Sequence, residues 1–120
     1  MIYLDAEPAS IKAARDYVGK VAAESWPVDN YTVRLVASEL ATNAVRHAKT
    51  ALIRVNAYSV GSVYVVDVWD GDETVPTVRD PGPSSEGGWG LVAIAEVVTC
   101  WGVHRDGTGG KTVFAEWTAP

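Results

Sequence analysis

The chain has 120 residues, 48% of them apolar and 21% charged, with a formal net charge of −5. That length supports one domain with a hydrophobic core of its own, and the acidic balance argues against a nucleic-acid binder, which would carry a basic patch. A small anionic nucleotide is not excluded, because backbone N–H groups and a metal can hold it.

Met1 to Leu4 reads as a short edge strand. Glu7-Pro8-Ala9-Ser10 opens a first helix running to about Ala23, with Ile11, Ala14, Tyr17, Val18 and Val21 as its apolar face. Gly19 weakens that helix modestly. Trp26-Pro27-Val28-Asp29 breaks it, and Asp29 or Asn30 can cap the next. From about Asn30 to Ala48 the apolar residues Val33, Val36, Ala37, Leu40 and Ala44 recur at helical spacing. Glu39, Asn43 and His47 stack at i, i+4 and i+8 beside that face. A carboxylate there can polarise a hydroxyl or a water, and a carboxamide oxygen one turn later is a hard ligand for Mg²⁺. A plain boundary helix with its polar residues in water has the same pattern.

After Lys49-Thr50 the period changes from helical to two. Leu52 to Tyr58 and Val63 to Trp69, joined by Ser59-Val60-Gly61-Ser62, read as a hairpin. Tyr64, Val66, Val68 and Asp70 share one face of the second strand. If that face meets the core, Asp70 is a carboxylate at a buried strand end, where a donor should be waiting. Asp70-Gly71 also suits an ordinary turn.

Residues 71–90 are loaded with Gly, Pro and Ser, and loops this long in a compact domain are usually lids or binding loops. They lead into Leu91 to Val98, an apolar run suited to a mostly buried helix. A glycine-rich loop feeding a helix N-terminus offers free N–H groups to phosphate, although Gly88-Trp89-Gly90 matches neither a P-loop nor the dinucleotide fingerprint. Thr99 to His104 and Lys111 to Trp117 make a second hairpin across Asp106 to Gly110. His104 reads as a solvated strand residue, and Trp101 and Trp117 as sheet-packing residues. Cys100 is the single cysteine, which rules out an internal disulfide, fits a reducing compartment and suggests a small buried hydrophobe. No apolar run spans a membrane and no signal-peptide pattern opens the chain, so the expectation is a cytoplasmic protein without membrane or nucleic-acid partners. The element order predicts an α+β two-layer sandwich: a mixed, mostly antiparallel sheet covered on one face by about three helices, forming one domain over 1–120.

Four motifs then appear in order: Glu39-x-x-x-Asn43-Ala44-x-x-His47, Asp70 after a strand, Gly88-x-Gly90-Leu91 before a helix, and Gly110-Lys111-Thr112 entering the last strand. Together they resemble the nucleotide site of the histidine-kinase-like (Bergerat-fold) ATPases. The compact chain is most similar to the stand-alone anti-sigma-factor serine/threonine kinases. The resemblance covers Pro8 to Trp117 and implies ATP and Mg²⁺ as cofactors. It assigns Glu39 as general base, Asn43 as the Mg²⁺ ligand and Asp70 as acceptor for the adenine amino group. Thr112 would reach the same adenine edge, while Gly88, Gly90, Leu91 and the adjoining helix N-terminus would hold the phosphates beneath a lid over 71–90. His47 is structural.

The chain departs from the family's Asp-x-Gly, because Asp72 stands where the glycine usually is. Arg79 is the lone basic residue between Trp69 and Arg105. The implied function is a kinase phosphorylating a small anti-anti-sigma-type protein and holding a sigma factor. A homodimer is compatible with it. The alternative is a catalytically weak, nucleotide-gated protein-binding module, which the Asp72 departure favours. An unrelated α+β binding domain stands as a third reading, and a free-standing ATPase as a fourth.

Overall fold

The computed structural model describes residues 1–47, 50–72, 94–105, 107 and 109–119. Strand β1 (Ile2–Asp5) leads into helices α1 (Ala9–Ser25) and α2 (Asn30–His47), followed by the strands β2 (Leu52–Val60) and β3 (Val63–Asp70). Residues 94–97 are helical, and β4 (Cys100–Arg105) and β5 (Lys111–Thr118) complete the domain. All four strand pairings are antiparallel, in the order β1-β2-β3-β5-β4. The expected α+β sandwich is therefore present, with an antiparallel rather than a mixed sheet.

Helix α2 starts where Asp29 Oδ2 accepts from the Thr32 backbone N–H and hydroxyl, both at 3.1 Å. That satisfies a donor which the first helical turn leaves without an intrahelical partner. The neighbouring Asn30 instead ties the two helices together, its side-chain N–H donating to the Gly19 carbonyl at 2.9 Å. Gly19 has a packing role as well, since a Cβ there would lie 2.7 Å from the Arg34 guanidinium, which crosses over α1 to reach Asp16 at 2.9 Å.

The apolar stripe of α2 (Val33, Val36, Ala37, Leu40, Ala41, Ala44) is buried against the inward residues of the sheet: Ile53 and Val55 of β2, Val66 and Val68 of β3, and Val113 and Ala115 of β5. Alternation along β3 carries that inward face on to Asp70. The same alternation along β5 puts Lys111, Val113, Ala115 and Trp117 inside. At the other end of the sheet, Trp117 donates from Nε1 to the Val97 carbonyl at 2.8 Å and packs near Trp26, which also meets Tyr64.

The first hairpin is tighter than the sequence suggests. Val60 pairs with Val63, which leaves a two-residue turn with Gly61 first, at φ +59°. The apolar run at 91–98 also differs from expectation over its described part. Ile94 is buried, whereas Ala95, Glu96 and Val97 are exposed, so this turn is amphipathic. Cys100 is exposed on edge strand β4 rather than buried, because its register partner is Glu116, on the outward face of β5.

In the second hairpin, Gly110 sits at φ +145°, and a Cβ there would lie 2.7 Å from the Asp70 carbonyl oxygen and 2.8 Å from Trp69 Nε1. Both the dihedral and the space demand glycine. Gly107 has open space around its Cβ position. Gly110→Ala should lower the unfolding free energy by about 1–3 kcal/mol, while Gly107→Ala should leave it within about 1 kcal/mol of the parent. Urea denaturation of the two variants measures the contrast.

Candidate functional site

The end of β3 carries a charged pair inside the core. Asp70 and Lys111 face each other directly across the β3–β5 ladder, and both are 0% exposed. Lys111 Nζ donates to Asp70 Oδ1 at 3.1 Å and to the Asp72 carbonyl at 3.0 Å. The Asp72 backbone N–H donates to the same Oδ1 at 2.7 Å. Asp70 Oδ2 is buried and has no hydrogen-bond partner among the described residues. A carboxylate oxygen without a donor is costly in a low-dielectric interior. It is the kind of atom that a ligand N–H satisfies.

The chain closes around this spot. Thr50 follows α2 and donates to the Leu52 carbonyl at 2.9 Å, and its methyl group would lie 2.2 Å from a Cβ at position 71. Gly71 is therefore fixed by close approach, and the contact brings the exit of α2 to the end of β3.

On α2, Glu39 and Asn43 are both half-buried and His47 is exposed. Burial pushes the Glu39 carboxyl above the usual carboxylate range, and the Arg46 guanidinium draws it part of the way back. Asn43 Nδ2 is buried without a hydrogen-bond partner among the described residues. Two polar groups one turn apart beside the core thus carry either a perturbed proton affinity or an unused donor, a pattern that marks functional sites more often than solvated helix faces.

One predicted residue falls elsewhere. Thr112 is the register partner of Trp69, not of Asp70, and period-two alternation turns it to the face of the sheet away from Asp70 and the helices. The position beside Asp70 belongs to Lys111, which the sequence reading passed over. A signal for it existed, since Lys111 is in phase with Val113, Ala115 and Trp117. Gly88, Gly90, Leu91 and most of the expected lid lie outside the described residues. Of that segment, Gly71 and Asp72 are described, and Asp72 is buried at 6% exposure with its backbone closed on Asp70 and Lys111.

A model of the histidine kinase-like ATPase domain matches residues 4–117. This chain belongs to that family. Among solved structures, the histidine kinase-like ATPase domain is similar to the RsbU and RsbW domains of Rv1364c from Mycobacterium tuberculosis. That match has a TM-score of 0.61 and 18% identity, and covers 99% of this chain and 33% of the other. It is also similar to the histidine kinase domain of the E. coli osmosensor EnvZ, with a TM-score of 0.56, 18% identity and coverage of 100% and 89%. A third match is the Acinetobacter baumannii histidine kinase AdeS, at TM-score 0.53, 17% identity and coverage of 98% and 68%. The chain thus spans a third of the Rv1364c chain it matches. At these identities the likeness is one of fold. No curated protein sequence gives a significant match.

Membership in an ATPase domain family implies ATP binding, and the residues present fit an adenine nucleotide. Asp70 Oδ2 is an unused acceptor suited to an amino group. Among the described residues no group of His, Cys, Asp and Glu is arranged to hold a metal. The Asn43 carboxamide offers a hard oxygen of the kind that suits Mg²⁺. No helix among the described residues is long and apolar enough to cross a membrane.

The raised Glu39 pKa has a consequence for stability. A carboxyl whose pKa is higher in the folded than in the unfolded chain favours folding below the unfolded pKa, and that advantage is lost as pH rises through the folded value. At neutral pH the buried charge is a net cost. Glu39→Gln should therefore melt above the parent at pH 7, and the difference should shrink towards zero below about pH 4. Paired thermal melts across that range check the sign.

Proposed function

We propose that this histidine kinase-like ATPase domain is an ATP- and Mg²⁺-dependent protein serine/threonine kinase. In this reading its substrate is a small anti-anti-sigma-type protein, and it acts as an anti-sigma factor when not so engaged. The observation that carries the proposal is Glu39, a half-buried carboxylate with raised proton affinity, one helical turn before Asn43. A module that only binds nucleotide has no need of a stronger base there. General bases work best when their pKa approaches the operating pH, and burial moves Glu39 that way.

In this reading each residue has its own role. Asp70 accepts a hydrogen bond from the adenine amino group through Oδ2. Asn43 would hold Mg²⁺, which would supply neutralisation of charge on the transferring group. Glu39 takes the proton of the incoming serine or threonine hydroxyl as that oxygen bonds to the γ-phosphorus, and ADP departs with the bridging oxygen. The serine/threonine-directed, sigma-regulating part of this reading is supported by the motif resemblance to stand-alone anti-sigma-factor kinases carried by Glu39, Asn43 and Asp70.

A second reading, a nucleotide-gated protein-binding module with weak phosphoryl transfer, is favoured by Asp72, an acidic residue in the place of the family's glycine. Two variants test the site, and the second separates the readings. Asn43→Ala should abolish Mg²⁺-dependent ATP binding in calorimetry with the fold intact. Glu39→Gln should keep near-parental ATP affinity and lose phosphate transfer to the partner by about 10²–10⁴-fold. A parent that binds ATP tightly but phosphorylates no candidate partner would establish the binding-module reading instead.

A further inference from the structure

Lys111 has no role in the reading above, yet its setting is unusual. An ammonium has three N–H donors, and lysine is among the residues least often fully buried. Here the side chain is wholly buried, and two acceptors meet it among the described residues: Asp70 Oδ1 and the Asp72 carbonyl. Among the described residues one N–H is left over. On the other side of the same carboxylate, Oδ2 accepts nothing among the described residues. The ends of β3 and β5 thus present an unused acceptor next to an unused donor, both fixed by direct cross-strand pairing and by Gly110 packed against the Asp70 backbone.

We propose that Lys111 is a specificity-determining residue for the base, donating to the adenine ring nitrogen N1 while Asp70 Oδ2 accepts from the neighbouring 6-amino group. The proposal rests on the adenine-nucleotide reading of the site. Adenine offers a donor and an acceptor side by side on that edge, which match the carboxylate oxygen and the ammonium one for one. Guanine and hypoxanthine offer O6 and N1–H at the same places. Their oxygen would face a carboxylate and their N–H an ammonium, so both contacts fail together. A site built from paired polar groups rejects a mismatched ligand because its own buried groups are left unsatisfied. A bare carboxylate reads one atom of the base, and the addition of Lys111 makes it two.

The test compares three nucleotides by calorimetry in excess Mg²⁺: ATP, its 1-deaza analogue (a C–H in place of N1) and purine riboside triphosphate (no amino group). The parent should bind 1-deaza-ATP about 10- to 100-fold more weakly than ATP. In Lys111→Met, which keeps the length of the side chain and removes the ammonium, ATP and 1-deaza-ATP should bind alike, with purine riboside triphosphate still the weaker ligand. Equal affinity of the parent for ATP and 1-deaza-ATP overturns the role of Lys111. If purine riboside triphosphate still binds more weakly than ATP, the adenine reading survives that result. Discrimination against 1-deaza-ATP that persists in Lys111→Met also overturns it, since another group must then contact N1. Failure of the parent to bind any of the three removes the adenine reading and this proposal with it. Should Lys111→Met not fold, the parent's own ratio of affinities decides.

Discussion

A carboxylate and an ammonium with no exposure to water pair where the end of β3 meets the start of β5. Desolvating either charge alone costs several kcal/mol, and mutual attraction offsets this only when geometry and additional hydrogen bonds are good. Here the Asp72 N–H and carbonyl supply those bonds. The pair therefore fixes the local chain path. Position 72 must curl back over β3, position 71 must be small enough to pass Thr50, and position 110 must lack a side chain so that β5 can approach the Asp70 backbone. Three sequence features that look independent answer to one electrostatic requirement.

The same requirement explains why a domain held together by ordinary valine and alanine packing ends in polar chemistry. Apolar alternation on β3 and β5 delivers the inward face of the sheet to the end of β3 and the start of β5. There the alternation switches to Asp70 and Lys111. The carboxylate is neutralised on one oxygen and left open on the other. Glu39 and Asn43 repeat the theme on the helical side, each partly desolvated and each with capacity unspent.

Periodicity made much of this legible in advance. The stripe of α2 and the alternation of β3 placed Leu40, Val66, Val68 and Asp70 correctly, because each is enforced by a repeating pattern over many residues. Features that depend on pairing between distant segments were not legible. Whether Lys111 or Thr112 stands beside Asp70 is decided by the register of β5 on β3, and a shift of one residue exchanges them. Lysine's strong preference for solvent pointed the wrong way at position 111, where a counter-ion 41 positions earlier overrides it. Cys100 misled for a related reason: cysteine favours burial in general, but an outward position on an edge strand has nothing above it.

The order of strands has a further meaning for how the molecule assembles. Strand β5 lies between β3 and β4, so among the described residues β4 pairs only with a segment made after it. The α1–α2 and β2–β3 hairpins form from nearby contacts, whereas β1 meets β2, and Asp70 meets its cation on β5, only across long stretches of chain. Non-local pairing of this kind is slow relative to local structure. Docking of β5 therefore brings Val113 and Ala115 to the core and a cation to Asp70 in a single step.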